Sequence, residues 1–416
     1  MHNADTRGLV YQHGRKFSPV RLGIRRSPHP GCLPSCSRQC FVCASMSNPF
    51  ELAPDASAGF SAEIELDKAV TKLLPEGSTI KSAVGHGASL WTRSARIDIE
   101  LADGTPKSYF IKVAPGPNGI SMLRGEFHSA TDMQAVLPDF SPKPIGWGVF
   151  ESNEDLAFFL QFYHDMDNEI PDMDKMTKML ANFHLKSSKT FERLTAGRRP
   201  QGKRFGYHVS THNGKLAQNN SWTSTWEEYF TQNMKTMLDH DLKKGGERPQ
   251  AIEELLTPLF EKVIPRLLRP MEMDGRTVTP CLLHGDLWYG NASTDKHSNL
   301  PIVFDACCFW GHNECKPSIR VGIHINLFWI LTILASDEIR TMRTNTVQGF
   351  GKAQKDAYLQ HYPPAHPVED FEARNALYHL YDFHNRAQCR RSNYSSSRSQ
   401  LHDCALFPEN PKYRQT

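Results

Sequence analysis

Asp286 and Asn291 stand five positions apart in LLHGDLWYGN (282–291), and Asp305 follows fourteen positions later, closing the apolar run PIVFD. A carboxylate, a carboxamide and a distal carboxylate in that order suit phosphoryl transfer. The first orients an attacking hydroxyl, and the other two offer the hard oxygen donors that Mg²⁺ takes in small number from a protein. His284 reads as a residue that holds the loop through a hydrogen bond. It need not be the base, because a loose transition state asks for little deprotonation of the nucleophile. The plain alternative is a polar loop closed by an Asx turn.

The same chemistry needs a cover over the phosphates and a cation on them, and candidates for both lie upstream. Gly85 and Gly87 in AVGHGASLW sit where a turn between strands is expected, and glycine lets backbone N–H groups approach phosphate oxygens closely. The plain reading of such a Gly-x-Gly is a hairpin. Lys112 interrupts the apolar strand YFIKVA; its plain reading is an edge-strand lysine. Glu126 lies on the next helical segment, beside Leu123 and Phe127, where it could pair with Lys112 or simply face solvent.

Elements that could hold these residues follow from hydrophobic period. Residues 60–75 space their apolar positions as one amphipathic helix ending at Pro75. Residues 79–101 and 103–114 turn to alternation and predict antiparallel hairpins. ISMLRGEFHSATDMQAVL (120–137) returns to a helical period, and KPIGWGVF and LAFFLQFY read as two further strands. Residues 76–163 thus predict a small, mostly antiparallel sheet with one helix. Beyond them, 173–188, 223–240 and 249–268 carry i, i+3/i+4 apolar spacing and read as helices, and 299–305 as a short strand ending in Asp305.

Bulk properties exclude several classes. With 39% hydrophobic and 22% charged residues among 416, the chain reads as an ordinary globular protein. A net charge of +3 makes no case for nucleic acid or membrane partners. The longest apolar run, 321–336, includes His324 and Asn326 and is shorter than the ~20 residues a membrane span needs. Residues 1–45 carry six Arg and one Lys against Asp5, in an Arg- and Ser-rich composition that suits a transit peptide. The plain reading, which is preferred, is a disordered extension or non-native sequence ahead of Met46. Cys32, Cys36, Cys40 and Cys43 lack the two separated pairs of a structural zinc site. The remaining cysteines are scattered, which fits a reducing compartment. The expected location is the cytoplasm, or a mitochondrion if the leader is genuine.

LLHGDLWYGN followed by FDACCFWGHNE closely resembles the fructosamine/ketosamine-3-kinases, whose hallmarks are HGDLW-x-GN and then D-P-A-x-x-Y/F-G-H/D-x-E. YFIKVA, MLRGEF, LANFHLKS, the stretch 205–230 and HPVEDFEARNALYHLYDFHN match as well, so the likeness spans roughly 60–386 and the terminal ALFPENPKYRQT. Related aminoglycoside and choline kinases carry HGD without these surroundings.

The resemblance implies an α+β, bilobal, protein-kinase-like fold. Its ATP-binding N-lobe would be a small antiparallel sheet with one helix (46–160), and its C-lobe mostly helical (161–416). It implies transfer of the ATP γ-phosphate to the 3-hydroxyl of a ketosamine, free or on a glycated protein, with Mg²⁺, leading to deglycation and protein repair. Asp286 would be the catalytic base, Asn291 and Asp305 the metal ligands, and Gly85, Gly87, Lys112 and Glu126 the nucleotide clamp. Gln161, Phe162 and Tyr163 would form a hinge holding adenine through backbone groups. Trp288, His312 and Glu314 would face the sugar-amine.

The chain also departs from the family pattern. Ala306 stands where the family has proline after the aspartate, which loosens the turn and spares the carboxylate. Residues 315–336 and 387–404 lack the surrounding pattern and read as insertions, from retained intron sequence or a gene-model error; the competing reading is a genuine extra loop. A kinase of another small alcohol and a nucleotide-binding pseudoenzyme disabled by the inserts are the remaining alternatives. Sugar preference and oligomeric state are left open by the sequence.

Overall fold

The computed structural model describes residues 65–88, 92–167, 169–248, 250–315 and 352–378. All of them fall in the compact unit Asn48–Thr416. The extension 1–45, the expected insertion 387–404 and all of 315–336 but Cys315 lie outside the described residues.

Five strands form one antiparallel sheet: β1 (Thr79–Ala88), β2 (Arg93–Glu100), β3 (Pro106–Pro115), β4 (Pro144–Val149) and β5 (Leu156–Phe162). Their order is β1-β2-β3-β5-β4, so β3 is the middle strand. Alternation does the sorting expected of a pleated strand. Ile97, Ile99, Tyr109, Ile111 and Val113 enter one buried cluster with Phe158 and Leu160. Ser94 pairs with Lys112 and Arg96 with Phe110 on the opposite face. Helix α2 (Gly116–Val136; α1 is given below) packs there, its Leu123 and Ala130 clustered with Ala114, Ala157 and Phe159.

The helical part comprises α3 (Met173–Thr195), α4 (Trp226–Gly245), α5 (Gln250–Pro258), α6 (Ile264–Leu268) and α7 (Lys352–Leu359), with further helical residues at 371–378. Asp172 caps α3, and Thr225 with Glu228 forms a capping box on α4, so both starts are written in the sequence. A large core gathers Phe183, Phe205, Trp226, Phe230, Leu267, Leu282 and Trp310. Among the described residues no helix is long and apolar enough to cross a membrane.

Three expectations need correction. Of the helix expected over 60–75, residues 60–64 lie outside the described residues, and 65–75 contain only α1, Lys68–Thr71. Asp67 caps it through Ala69, and the same carboxylate also accepts the N–H groups of Glu151 and Ser152, fixing the start by a tertiary contact. The helix expected over 249–268 is interrupted by a π-turn at Leu259–Val263, between Pro258 and Pro265, which supply no N–H. Strand β10 (Leu300–Val303) stops two residues short of Asp305, which lies in a loop at φ 61°.

Candidate active site

Two short pairs of strands bring the chemical residues together. Strand β8 (Cys281–Leu283) leads through 284–291 to β9 (Ala292–Asp295), and β10 leads through 304–308 to β11 (Phe309–Gly311). Because β9 pairs with β10 and β11 pairs with β8, the Asp286–Asn291 loop and the Asp305 loop must run side by side. Cross-bonds fix them: Phe304 N–H donates to the Asn291 carbonyl at 3.1 Å and Cys307 N–H to the His284 carbonyl at 2.9 Å.

His284 is the peg between the loops, as its structural reading expected. Its Nε2 bonds the Phe304 carbonyl at 3.0 Å, and its Nδ1 accepts the Asp286 N–H at 3.3 Å. Burial depresses its pKa to about 4, so the ring is neutral. Gly285 sits at φ 86°, where a Cβ would lie 2.1 Å from the Cys307 carbonyl oxygen. Only glycine allows that approach. Asn291 Nδ2 donates to the Asp286 carbonyl at 2.8 Å and to its carboxylate at 3.2 Å, orienting the carboxylate from inside the loop.

Lys112 reaches down from β3, 7% exposed, and its Nζ bonds Glu126 of α2 at 2.5 Å and Asp305. The edge-strand reading of this lysine fails because β3 is the middle strand. Burial alone would lower the lysine's pKa, but the Asp305 and Glu126 charges outweigh it and hold the ammonium charged. Burial pushes the Glu126 carboxyl up, against the pull of Lys112 and with the push of Asp305.

Asn291 commits its amide nitrogen to Asp286, leaving Oδ1 as a donor, and the Asp305 side chain is 47% exposed. An amide oxygen and a carboxylate fit Mg²⁺. Among the described residues no group of three or more His, Cys, Asp or Glu could hold a metal, so a histidine- or cysteine-rich cage is not the competing reading there.

A family model described as fructosamine kinase matches residues 84–321 of this 416-residue chain. The chain belongs to the fructosamine kinase family. It is 32% identical over 222 residues to a mouse protein named ketosamine-3-kinase, covering 50% of this chain and 68% of that one. It is 25% identical over 342 residues to a rice (subspecies japonica) protein named protein-ribulosamine 3-kinase, chloroplastic, covering 80% and 81%. A solved structure assigned as a fructosamine-3-kinase from Haemophilus somnus superposes with TM-score 0.50 at 16% identity, covering 78% of this chain and 96% of that one. That likeness is one of fold: α+β, bilobal and kinase-like. As a fructosamine kinase family member the chain is a phosphotransferase.

The remaining expected residues do not all converge. Gly85 and Gly87 lie inside β1, which runs to Ala88 with a register shift between Gly85 and Ala88, and not in a turn. The hinge stretch has spent two backbone donors: Phe162 N–H goes to the Lys143 carbonyl and Tyr163 N–H to that of Ser108. Beside it, the Arg96 guanidinium lies over the Tyr163 ring at 4.4 Å. Gln161 is buried within β5. Trp288 is half-buried in the loop beside Asp286, its ring folded over Gly290.

His312 and Glu314 are held inside the protein. Both are 2% exposed. His312 Nδ1 bonds the Tyr378 hydroxyl at 3.1 Å, and burial takes its pKa down to about 4. Glu314 accepts from Arg374 Nε at 2.8 Å and from the Ala365 N–H at 2.7 Å. His312 Nδ1 and both Glu314 carboxylate oxygens are thus engaged inside the protein. Arg374, 0% exposed, was not singled out from the sequence, although it lies in the matching stretch HPVEDFEARNALYHLYDFHN. Ser129, whose hydroxyl bonds the Cys308 N–H, gave no sequence signal at all.

Proposed function

We propose that this fructosamine kinase family member transfers the γ-phosphate of ATP to the 3-hydroxyl of ketosamines, the ribulosamine and fructosamine adducts of lysine. The observation that carries the reading is the Lys112 bridge. One buried ammonium spans Glu126 and Asp305, while the adjoining loop holds Asp286 ready through Asn291. The mouse and rice relatives support the acceptor class by their names, ketosamine and ribulosamine kinases.

In this reading the Asp286 carboxylate accepts the proton of the attacking hydroxyl as the O–P bond forms and the bond to the ADP oxygen breaks. Lys112, kept charged by its two carboxylates, neutralises phosphate charge and costs little reorganisation, because Glu126 already fixes it. Asn291 and Asp305 would hold Mg²⁺, which when bound supplies further neutralisation of the phosphates. Gly85 and Gly87 would cover the phosphates from β1, and Gln161–Tyr163 would border the base. Trp288 is the remaining candidate for the sugar-amine. The resulting 3-phosphate makes the adduct unstable, so the consequence would be deglycation, on proteins or on free amines. The sheet unit 46–160 would carry the donor and 161–416 the acceptor.

The test is ATP-dependent consumption of the ribulosamine and the fructosamine of lysine, followed by phosphorus NMR. A new sugar phosphate is expected from wild type, and Asp286→Asn should lose about 10²–10⁴-fold in kcat. A folded, ATP-binding wild type that forms no such phosphate overturns the acceptor assignment.

A further inference from the structure

Ser129 lies one turn beyond Glu126 on α2 and is fully buried. A mid-helix serine normally spends its hydroxyl on its own turn or points it to water. This one donates to the Gly125 carbonyl at 2.8 Å and also accepts the Cys308 N–H at 2.9 Å. Cys308 stands three residues after Asp305, as Ser129 stands three after Glu126. One buried hydroxyl therefore ties together the two segments whose carboxylates share Lys112.

The tie continues on both sides. Cys307 N–H holds the His284 carbonyl, and Gln218 Nε2 holds the Cys307 carbonyl at 2.9 Å. Thr211 Oγ1 donates to the Cys308 carbonyl at 3.3 Å. On α2, Asp132, 2% exposed, accepts from the Tyr207 hydroxyl at 2.8 Å and from Arg198 at 3.0 Å. Gly125 lies so close to the same segment that a Cβ there would meet the Ser210 carbonyl at 2.4 Å. The helix bearing Glu126 is thus bonded to the loop bearing Asp305, and through it to the loop bearing Asp286, while its other face packs on the sheet. Within that framework Ser129 is the contact nearest in sequence to both carboxylates.

We propose that Ser129 is a positioning residue for phosphoryl transfer, fixing the separation of Glu126 and Asp305 and with it the placement of the Asp305 carboxylate for metal. The proposal rests on the reading of Asp305 as a Mg²⁺ ligand. Removing the hydroxyl orphans a buried N–H on the loop, and that loop must shift or solvate to relieve it. The displacement reaches Asp305 three residues away.

The test compares wild type, Ser129→Ala and Thr131→Ala. Among the described residues the Thr131 hydroxyl bonds its own helix turn, through the Phe127 carbonyl at 2.8 Å. The probe is the Mg²⁺ dependence of binding of a fluorescent ADP analogue, read beside kcat, acceptor KM and Tm. Ser129→Ala should raise the half-saturating Mg²⁺ concentration about 5–10-fold and lower kcat about tenfold, with acceptor KM within about twofold. Thr131→Ala should leave all of these within about twofold. A Ser129→Ala variant with lowered Tm but wild-type Mg²⁺ dependence shows a structural role and overturns the proposal. If that variant does not fold, Ser129→Cys keeps a weak acceptor at nearly the same size and should still raise the Mg²⁺ requirement at least about twofold. Wild-type Mg²⁺ dependence in Ser129→Cys overturns the proposal equally. A wild type that binds no nucleotide at any Mg²⁺ concentration overturns the reading of the site itself, which separates the two failures.

Discussion

The residue that sets the catalytic loop's shape has no functional group. At φ 86° and with the Cys307 carbonyl oxygen 2.1 Å from any Cβ, Gly285 lets His284 and Asp286 turn back on the Asp305 loop. Alanine there is strained twice, by the positive φ and by contact with a backbone atom that Gln218 also holds. Gly285→Ala should displace Asp286 and lower kcat more than about 100-fold, since a misplacement of about 1 Å is enough for that. The same clash presses on Cys307, two residues from the Asp305 that Lys112 bonds, so nucleotide affinity should fall too, but by less than kcat, because Lys112 and Glu126 stand on β3 and α2. Stopped-flow kinetics beside nucleotide titration checks the split. Equal loss in both would mean that the turn supports the fold at large and not the nucleophile's partner.

At the scale of elements, what the sequence made legible was local. The alternation of β2 and the helical periods of α4 and α2 each depend on residues a few positions apart, and each element appears where expected. D-x-x-x-x-N was legible for the same reason, because one loop contains both ends of the hydrogen bond. Tertiary partners were not legible. For Lys112 the plain edge-strand alternative stayed open beside the phosphate-cation reading, because strand order is invisible along the chain. Glu314 read as substrate-facing because the GHNE motif gives no hint that Arg374 lies 60 positions on. That pair is wholly buried, with side chains 0% and 1% exposed, and it fastens the segment carrying Arg374 to the strand end that follows Asp305. Breaking a buried pair strands a charge, so Glu314→Gln should destabilise by about 3–5 kcal/mol, and adding Arg374→Met should recover much of the loss. Urea unfolding of the four members of this cycle measures the coupling. A stable Glu314→Gln enzyme with a raised ketosamine KM would return the residue to the substrate side.

For the whole molecule, the buried imidazoles decide how stability responds to acid. His284 and His312 are each 2% exposed, in different parts of the structure, and burial lowers both from 6.5 to about 4. A ring with a depressed folded pKa binds fewer protons folded than unfolded. Its contribution is therefore fully present above pH 6.5 and is lost as pH falls towards 4. At 1.36 kcal/mol per unit, each ring costs about 3 kcal/mol by pH 4, and the two together approach the total stability of many domains. Carboxylates held low act in another window: Asp67 and Asp295, both near 2 through hydrogen bonds that outweigh their burial, lose their contribution only below about pH 4. The expected result is a steep fall in the urea midpoint between pH 6.5 and 4, starting well above the carboxylate range. His312→Gln should unfold more easily at pH 7.5, since the Tyr378 hydroxyl loses its fitted partner, yet show a shallower slope of stability with pH by about one proton. An unchanged slope would mean that His312 is already charged in the folded protein, paired through Glu314, and would reopen its place in the substrate site.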